Sequence, residues 1–567
     1  MGSTMFETFN LQPFEDEVRS SLRQAAGDDL IRRLWEKDHT LWQDEDREVS
    51  DRLGWLDAPR EALARLDHWT ELADAVRRKG IRQVLLLGMG GASLTAEVFG
   101  RTLGPAPGHP ALAVLDSTAP QAVRRWRDSL SPEWTLFIAS SKSGTTIETV
   151  TLFQFFFNWL EQALGPGRAG QHFLAITDPG TPLEATGRQL GFFDVVLGLP
   201  TIGGRFSAFS AFGLLPAALL GLEAKSLAES GLAMARLCRS EDPSPVNPGL
   251  YLGTLIAHLA DRGLDKLTFF LPARIASLGG WLEQLIAEST GKAGRGILPV
   301  VGESAEELEA FGPDRFFVVF RLEGDGATEA ALSALKASGR PTLVIGLERP
   351  ADVAGQFYLW EMAAAIAGHW LGINPFNQPD VTAAKLNTQA MLEGYHRCGR
   401  MSQEMPLASG QGISLFGQEP VSSPQEGLRL FAGRGRPGDY LSLQAFLAPE
   451  PDTERALRNL ATALRRRTGL AVTLGFGPRY LHSTGQLHKG DAGRGLFIQI
   501  TSSPDPDLPL SDRAEDRFRS GQTFGVLLEA QAQGDLRALR EAGRRVIRLH
   551  FDQNPARGLD RVEKWLS

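Results

Sequence analysis

TLFIASSKSGTTIETVTLFQFFFNWLEQAL, residues 135–164, joins two kinds of secondary structure through a polar turn. TLFIASS (135–141) is short and mostly apolar, which is typical of a strand buried on both faces. TLFQFFFNWLEQAL (151–164) has the spacing of an amphipathic helix. A buried strand that leads into a helix predicts one βα unit of a parallel sheet.

The same pattern recurs on both sides of this stretch. Apolar runs that alternate with helical segments are VLLLG (84–88), LAVLD (112–116) and FLAIT (173–177), then LTFFLP (267–272), GILPVV (296–301), RFFVVFRL (315–322) and TLVIGL (342–347). Such alternation is typical of a parallel sheet with helices on both faces. We therefore predict an α/β fold with two tandem, doubly wound parallel-sheet domains, at residues 76–235 and 236–395.

The two ends of the chain differ from this pattern. Residues 1–75 show helical spacing with many charges, so we predict an N-terminal helical segment. Residues 396–567 are predicted to form a linker and an extra C-terminal α/β domain. Leu392 to Pro437 is rich in Gly, Pro, Ser and Gln, which is typical of a linker or an irregular excursion. The predicted strands of that domain are LSLQAFL (441–447), AVTLGFG (471–477), GLFIQIT (495–501) and RVIRLHF (545–551).

The composition excludes several classes of partner. The 567 residues carry a formal net charge of −8, so we expect neither a nucleic-acid groove nor binding to an anionic membrane. The longest uncharged stretch, Phe206 to Leu222, is shorter than the roughly 20 residues that span a bilayer. Cys238 and Cys398 are too few for a disulfide framework, which favours a cytoplasmic location.

SSKSGTTIET (140–149) is the strongest local indication of a ligand site. It lies where a strand delivers the chain to a helix N-terminus, whose free N–H groups and dipole favour a phosphate. Several Ser and Thr hydroxyls add further donors. The alternative is an ordinary helix cap, for which one such residue would suffice.

GMGGAS (88–93) also follows a predicted strand and opens a helix, so a ligand could approach its backbone closely. It matches a dinucleotide-binding fingerprint only in part. Asp116 lies farther along than the roughly 20 residues expected for an acidic partner of the ribose. An NAD site is the alternative interpretation of this motif.

Taken in order, GMGGAS, SSKSGTTIET, GGRFS (203–207), ESTGK (288–292) and NPFNQPDVTAAK (374–385) resemble the glucose-6-phosphate isomerase family, over residues 80 to 390. RLGWLDAP (52–59) and YLHSTGQLHKG (480–490) are similar to the isomerase half of bacterial transaldolase fusions. The resemblance implies two sugar-isomerase (SIS) domains and interconversion of glucose 6-phosphate and fructose 6-phosphate through a cis-enediol. Association of this chain with a transaldolase is a further expectation from the resemblance to the fusion proteins.

Roles for individual residues are implied by the same resemblance. Glu288 would be the general base, Arg205 would stabilise the enediolate, and Lys385 would assist ring opening. This chemistry needs no cofactor, and the absence of HxH and HExxH patterns disfavours a metal-dependent isomerase. The predicted substrate-binding residues are Gly90, Gly91, Ser141, Lys142, Ser143, Thr146, Glu148 and Gln378.

Two alternative functions remain open on the sequence alone. The first is an isomerase that also accepts mannose 6-phosphate. The second is a non-catalytic protein that binds sugar phosphates, since SIS domains often serve only for binding. Glu288 and Lys385 discriminate against the second, because a sensor needs the phosphate loop but neither proton-transfer group.

One family feature is missing at its usual place. The histidine that helps to open the sugar ring should follow ESTGK, but residues 293–368 contain no histidine. YLHSTGQLHKG resembles its sequence context, so we predict that His488, or as second choice His482, replaces it. The family's histidine comes from the neighbouring subunit, so delivery within one chain leaves both a homodimer and a monomer open. The alternative is that both histidines are structural.

Other departures affect binding groups rather than proton-transfer groups. Ala92 stands where the family usually has a serine, and the adjacent Ser93 is expected to point elsewhere. Asn377 and Thr382 replace residues that are commonly acidic. Loss of one neutral hydrogen bond would weaken binding by about 0.5–1.5 kcal/mol.

Overall fold

Three sheets form the framework of the protein. The structure is a computed structural model that describes residues 5–241, 247–401, 404–503, 506–510 and 522–566. Within these ranges no helix is both long and apolar enough to cross a membrane.

The N-terminal segment is mainly helical but begins with a strand, β1 (Phe6–Phe9). The prediction of a helical segment over 1–75 missed β1, and residues 1–4 lie outside the described ranges. Four residues are too few to show a periodicity, and β1 depends on antiparallel pairing with a distant strand, Thr342–Leu347. The helices of the segment are α1 (Gln12–Gly27), α2 (Leu30–Trp35), α3 (Ala58–Leu63) and α4 (Leu66–Arg78).

The first domain contains a five-stranded sheet in which every strand is parallel to its neighbours. Its strands are β2 (Gln83–Gly88), β3 (Ala111–Leu115), β4 (Thr135–Ser140), β5 (Phe173–Thr177) and β6 (Asp194–Leu197), in the order β3-β2-β4-β5-β6. Its helices are α5 (Leu94–Thr102), α6 (Pro120–Ser129), α7 (Ile147–Leu164), α8 (Pro182–Gln189), α9 (Ala211–Leu219) and α10 (Ala224–Leu237). The predicted strands are confirmed, and β6 is additional.

The second domain repeats this arrangement with the order β1-β10-β9-β7-β8. Its strands are β7 (Lys266–Phe270), β8 (Leu298–Val301), β9 (Arg315–Leu322) and β10 (Thr342–Leu347). Its helices are α11 (Pro248–Asp261), α12 (Leu278–Thr290), α13 (Glu329–Ala337), α14 (Val353–Leu371) and α15 (Val381–Cys398). These strands coincide with the predicted apolar runs.

The C-terminal domain contains the third sheet, in the order β11-β12-β16-β15-β13-β14. Its strands are β11 (Ala408–Gly410), β12 (Ile413–Phe416), β13 (Tyr440–Phe446), β14 (Ala471–Phe476), β15 (Gly495–Ser502) and β16 (Arg545–Phe551). Its helices are α16 (Pro424–Ala432), α17 (Pro451–Thr468), α18 (Gly485–Gly490), α19 (Phe524–Glu541) and α20 (Pro555–Lys564).

About half of the segment predicted as a linker, residues 392–437, forms helices or strands in the described part of the chain. It contains the end of α15, the hairpin β11–β12 and α16. Its turn residues have local uses, since Gln411 and Gly412 adopt positive φ at the hairpin and Ser423 caps α16. Frequent Gly and Ser therefore indicated tight turns here and not a linker.

The three domains share one strand order. Counting parallel strands along each domain, the sheets read 2-1-3-4 in β3-β2-β4-β5, in β8-β7-β9-β10 and in β14-β13-β15-β16. Ligands of doubly wound sheets bind where this order reverses, at the carboxyl ends of strands 1 and 3. In the first domain those are the ends of β2 and β4, from which GMGGAS and SSKSGTTIET extend.

A buried ion network joins the second and C-terminal domains. Glu303, after β8, accepts hydrogen bonds from Arg315 Nη1 at 2.8 Å and from Arg465 Nη1 of α17 at 3.1 Å. All three side chains are almost fully buried. Arg465 also pairs with Glu307, whereas the charge of Arg315 is compensated by Glu303.

We expect Glu303→Gln to destabilise the protein by about 3–5 kcal/mol, because the buried guanidinium of Arg315 would lose its counter-charge and Arg465 would keep only Glu307. The midpoint of urea unfolding, followed by tryptophan fluorescence, measures the loss. The matched control is Glu329→Gln, at a pair with Arg321 in which the glutamate side chain is 52% exposed, and about 1 kcal/mol or less is expected there. Equal shifts in the two variants would contradict this role.

Candidate active site

A cavity of about 490 Å³ opens at the carboxyl ends of β2 and β4. It is enclosed by the loops after these strands, the end of α12, the start of α15 and the segment between β14 and α18. All sequence-predicted site residues except Glu148 and His488 line it: Gly90, Gly91, Ser141, Lys142, Ser143, Thr146, Arg205, Glu288, Gln378 and Lys385, together with His482. Glu148 lines an adjoining cavity.

The hydroxyl-rich loop presents its side chains to this cavity. Ser141 Oγ lies 2.8 Å from Thr146 Oγ1, and Ser143 Oγ lies 3.0 Å from Thr145 Oγ1. Thr146 occupies the N-cap position of α7, yet its side chain makes no capping hydrogen bond. The hydroxyl cluster is therefore more than an ordinary helix cap.

Lys142 extends from the same loop toward Asp178. Its Nζ donates to Asp178 Oδ2 and, at 2.9 Å, to the carbonyl of Leu199. Burial lowers the pKa of Lys142, and the carboxylate of Asp178 counteracts that effect. These contacts hold a cation beside the loop.

The two glycines after β2 are required by close packing. Gly90 has φ +53°, a conformation that L side chains rarely adopt. A Cβ at Gly91 would lie 2.0 Å from the carbonyl oxygen of Gly204. The turn that carries Arg205 can therefore pack directly on the glycine loop.

Glu288 and Arg205 form the charged centre of the cavity. Glu288 lies in the last turn of α12 and is 6% exposed, and Arg205 is 3% exposed. Arg205 Nη1 is 3.4 Å from Glu288 Oε1, and its Nε donates to Ser289 Oγ at 2.9 Å. Burial lowers the pKa of Arg205, while Glu288 counteracts the shift. A carboxylate and a fixed cation thus face the same space.

Arg205 also organises the loop of residues 375–378. Its Nη2 donates to the carbonyls of Pro375 and Asn377, and its Nη1 donates to Gln378 Oε1 at 3.3 Å. Lys292 Nζ donates to the Asn377 carbonyl at 2.6 Å. Asn377 stands where the family commonly has an acidic residue. Its backbone carbonyl accepts hydrogen bonds from two cationic side chains, Arg205 and Lys292.

Gln284 is a site residue that the sequence analysis missed. Its Nε2 donates to Glu288 Oε2 at 3.1 Å and to the carbonyl of His482 at 2.7 Å. It precedes Glu288 by four positions, so the i, i+4 spacing of a helix could have indicated the contact. Gln284 links the predicted base to the C-terminal domain.

The prediction that His488 lies at the active site was wrong. His488 lies on α18 and is 2% exposed, among the rings of Tyr440, Tyr480 and Phe497, and does not line the cavity. Burial lowers the pKa of His488 well below its ordinary value. The helical turn that begins at Gly485 places this side chain in the core of its own domain.

The second choice, His482, lines the cavity. Its Nε2 lies 3.1 Å from Glu148 Oε1, in the first turn of α7. Burial alone would raise the pKa of Glu148, but His482 and further hydrogen bonds outweigh it and the pKa is lowered. Lys385, exposed on α15, lines the cavity near this pair.

The segment with His482 is fixed to the other domains at both ends. Arg479 forms ion pairs with Glu97 at 2.6 Å and Asp116 at 2.8 Å. Gln486 donates to the carbonyl of Gly291 at 2.9 Å and accepts from the backbone of Asp380 at 3.0 Å. Asp116, the candidate ribose partner of an NAD site, is thus occupied by Arg479.

Ser93, next to Ala92, points away from the cavity as expected, since its Oγ donates to the Gly90 carbonyl at 3.1 Å. Thr382 is exposed on α15.

Among the described ranges, no group of three or more His, Cys, Asp or Glu side chains could hold a metal ion.

Comparison with known proteins agrees with this geometry. A family model described as phosphoglucose isomerase matches residues 61–293. The chain is 30% identical to a glucose-6-phosphate isomerase of Symbiobacterium thermophilum, over 60% of this chain and 86% of the relative. It is 28% identical to one of Rubrobacter xylanophilus, over 61% of this chain and 90% of the relative.

Solved structures agree on the fold. A hypothetical protein of Thermus thermophilus superposes with a TM-score of 0.58 at 24% identity, covering 68% of this chain and 99% of that one. A glucose-6-phosphate isomerase of Chlamydia trachomatis gives 0.50 at 20% identity, covering 65% and 78%. On the sequence matches, this chain belongs to the glucose-6-phosphate isomerase family.

Proposed function

We propose that the protein is an aldose–ketose isomerase that interconverts glucose 6-phosphate and fructose 6-phosphate. The observation that carries the proposal is the convergence of Glu288, Arg205 and His482 on one cavity with a hydroxyl-rich loop. A carbon acid next to a carbonyl needs a carboxylate base, and the developing oxyanion needs a fixed cation. A loop of hydroxyls at a helix N-terminus suits the phosphate.

The sugar must open before it can isomerise. In this proposal the phosphate binds Ser141, Ser143 and Thr146, which places the ring toward His482 and Lys385. These two side chains move a proton from the anomeric hydroxyl to the ring oxygen. The C1–O5 bond then breaks and leaves the open-chain aldehyde.

Glu288 then removes the proton from C2 of the aldehyde. The electron pair forms the C1–C2 double bond, and the negative charge on O1 is stabilised by Arg205. After proton exchange between O1 and O2, the protonated Glu288 returns a proton to C1, which yields fructose 6-phosphate. One carboxyl group suffices because C1 and C2 are adjacent.

One chain contributes all of these groups, so we infer that a monomer is catalytically competent. Both cysteines are free, and with a sugar-phosphate substrate this supports a cytoplasmic location. Association with a transaldolase stays a prediction.

We expect Glu288→Gln to lower turnover of fructose 6-phosphate about 10²–10⁴-fold, because the amide cannot accept the C1 proton of the ketose. An assay coupled to glucose 6-phosphate oxidation measures the rate, and wild-type product formed in D₂O should carry deuterium at the reacting carbon. The control is Glu283→Gln on the same helix. Burial raises the pKa of Glu283 to about 8, so an amide replaces a largely neutral carboxyl there and turnover should change little.

Retained turnover in Glu288→Gln would remove this carboxylate from the mechanism. Binding of fructose 6-phosphate without turnover by the unmodified protein would instead identify a non-catalytic sugar-phosphate sensor.

The two histidines make separable predictions. His482→Asn should slow ring opening about 10²-fold or more, the usual contribution of a general acid–base group. Exchange between the anomers of fructose 6-phosphate, followed by NMR, reports ring opening without C–H transfer. His488→Asn should mainly lower thermal stability, because this side chain lies in a core. If only His488→Asn slowed anomer exchange, the assignment of His482 would be wrong.

A further inference from the structure

Glu148 is held by a side chain from the C-terminal domain that the mechanism above does not use. Gln531 on α19 donates from Nε2 to Glu148 Oε1 at 2.8 Å. His482 Nε2 contacts the same oxygen at 3.1 Å. Glu148 is 3% exposed and Gln531 is 1% exposed, so water competes little for these bonds.

The other end of the Gln531 amide is also hydrogen-bonded. Thr118 Oγ1, also fully buried, donates to Gln531 Oε1 at 2.7 Å. In this arrangement the NH₂ group of Gln531 faces Glu148. An NH₂ group can only donate, so the contact favours the ionised carboxylate.

An ionised Glu148 determines which ring nitrogen of His482 carries the proton. A carboxylate is only an acceptor, so His482 Nε2 must be the donor, and Nδ1 of the neutral ring is then unprotonated. Ring opening requires such an acceptor for the proton of the anomeric hydroxyl. A chain of hydrogen bonds from Thr118 through Gln531 and Glu148 thus ends on the catalytic imidazole.

We propose that Gln531 is a positioning residue for ring opening, which holds Glu148 so that His482 keeps the tautomer and orientation that accept the sugar proton. This inference rests on the proposed function. It assigns to the C-terminal domain a second contribution, separate from the supply of His482 itself.

The charged groups near this hydrogen-bond chain come from two further elements, α15 and α18. A cavity of about 500 Å³ is lined by Glu148 and shares His482 and Lys385 with the first cavity. Lys385, Glu393 and His396 line it from α15, and Lys489 lines it from α18. Lys489 is paired with Asp535 at 2.6 Å, and Lys385 is the cation that contributes to the lowered pKa of Glu148 after His482.

The test compares Gln531→Met with Gln531→Glu in the full chain. Methionine removes the donor, so anomer exchange of fructose 6-phosphate should slow on the order of tenfold, as for loss of a hydrogen bond to a charged group. The effect should fall on kcat with little change in KM. The acid limb of the pH profile should move to higher pH, because Glu148 would lose a contact that stabilises its ionised form.

Gln531→Glu should behave differently with pH. The introduced carboxyl can donate to Glu148 only when it is protonated, and when ionised it repels Glu148. Anomer exchange should therefore recover toward the wild-type rate as the pH is lowered, whereas Gln531→Met shows no recovery. A merely structural role would not produce opposite pH dependences in the two variants.

Two further measurements separate the possible failures. Gln499→Met is the matched control, because this buried glutamine donates to the Ala532 carbonyl of the same helix at 2.9 Å but has no contact with Glu148. It should leave the pH profile unchanged. If Gln499→Met and Gln531→Met alter anomer exchange alike, or both Gln531 variants match wild type, the inference is overturned. If wild type itself catalyses neither anomer exchange nor isomerisation, the proposed function fails instead.

Discussion

The hydrogen bond between His482 and Glu148 connects the architecture of this protein to its chemistry. Glu148 lies in the first turn of α7, directly after the hydroxyl-rich loop, whereas His482 comes from a different domain more than three hundred residues along the chain. A buried carboxylate is costly unless donors satisfy it, and here the donors are His482 and Gln531, both from the C-terminal domain. Docking of that domain and ionisation of Glu148 therefore support each other. The same contact places an imidazole beside the cavity that holds Glu288.

Most of the parallel strands could be predicted from the sequence, because each is a short apolar run bounded by turns. The strands that were missed are those whose pairing comes from elsewhere in the fold. β1 forms only against the edge of the second sheet, and β11 and β12 form a hairpin in a Gly- and Ser-rich segment. β6 is a four-residue edge strand that begins with Asp194. Local periodicity carries little information about such edges, since their formation depends on the partner strand.

The site was predictable where a backbone motif supplies the chemistry, and less so where side chains meet across domains. The hydroxyl loop, the two glycines, Arg205 and Glu288 follow from motifs read in order. The choice between His482 and His488 does not follow from the motifs, because both residues lie in one short stretch. Only the fold of that stretch decides which side chain faces the cavity. Helix α18 begins at Gly485, carries His488 inward and leaves His482 on the preceding turn. Gln531 gave no local sequence indication at all.

The shared strand order of the three sheets does not give them shared roles. Only the first domain uses the carboxyl ends of its strands 1 and 3 to form the proposed phosphate site; the second contributes the end of α12, and the third contributes the loop after β14. In the family that this chain resembles, the ring-opening histidine comes from a neighbouring subunit. When the same group is part of the chain, its local concentration no longer depends on the protein concentration, provided that the intervening structure holds it in place. Arg479, clamped between Glu97 and Asp116, and Gln486, bound to Gly291, supply that constraint. In the proposed mechanism, the extra domain replaces an intermolecular contact with fixed intramolecular ones, and its cost is a set of buried polar groups that must all be paired.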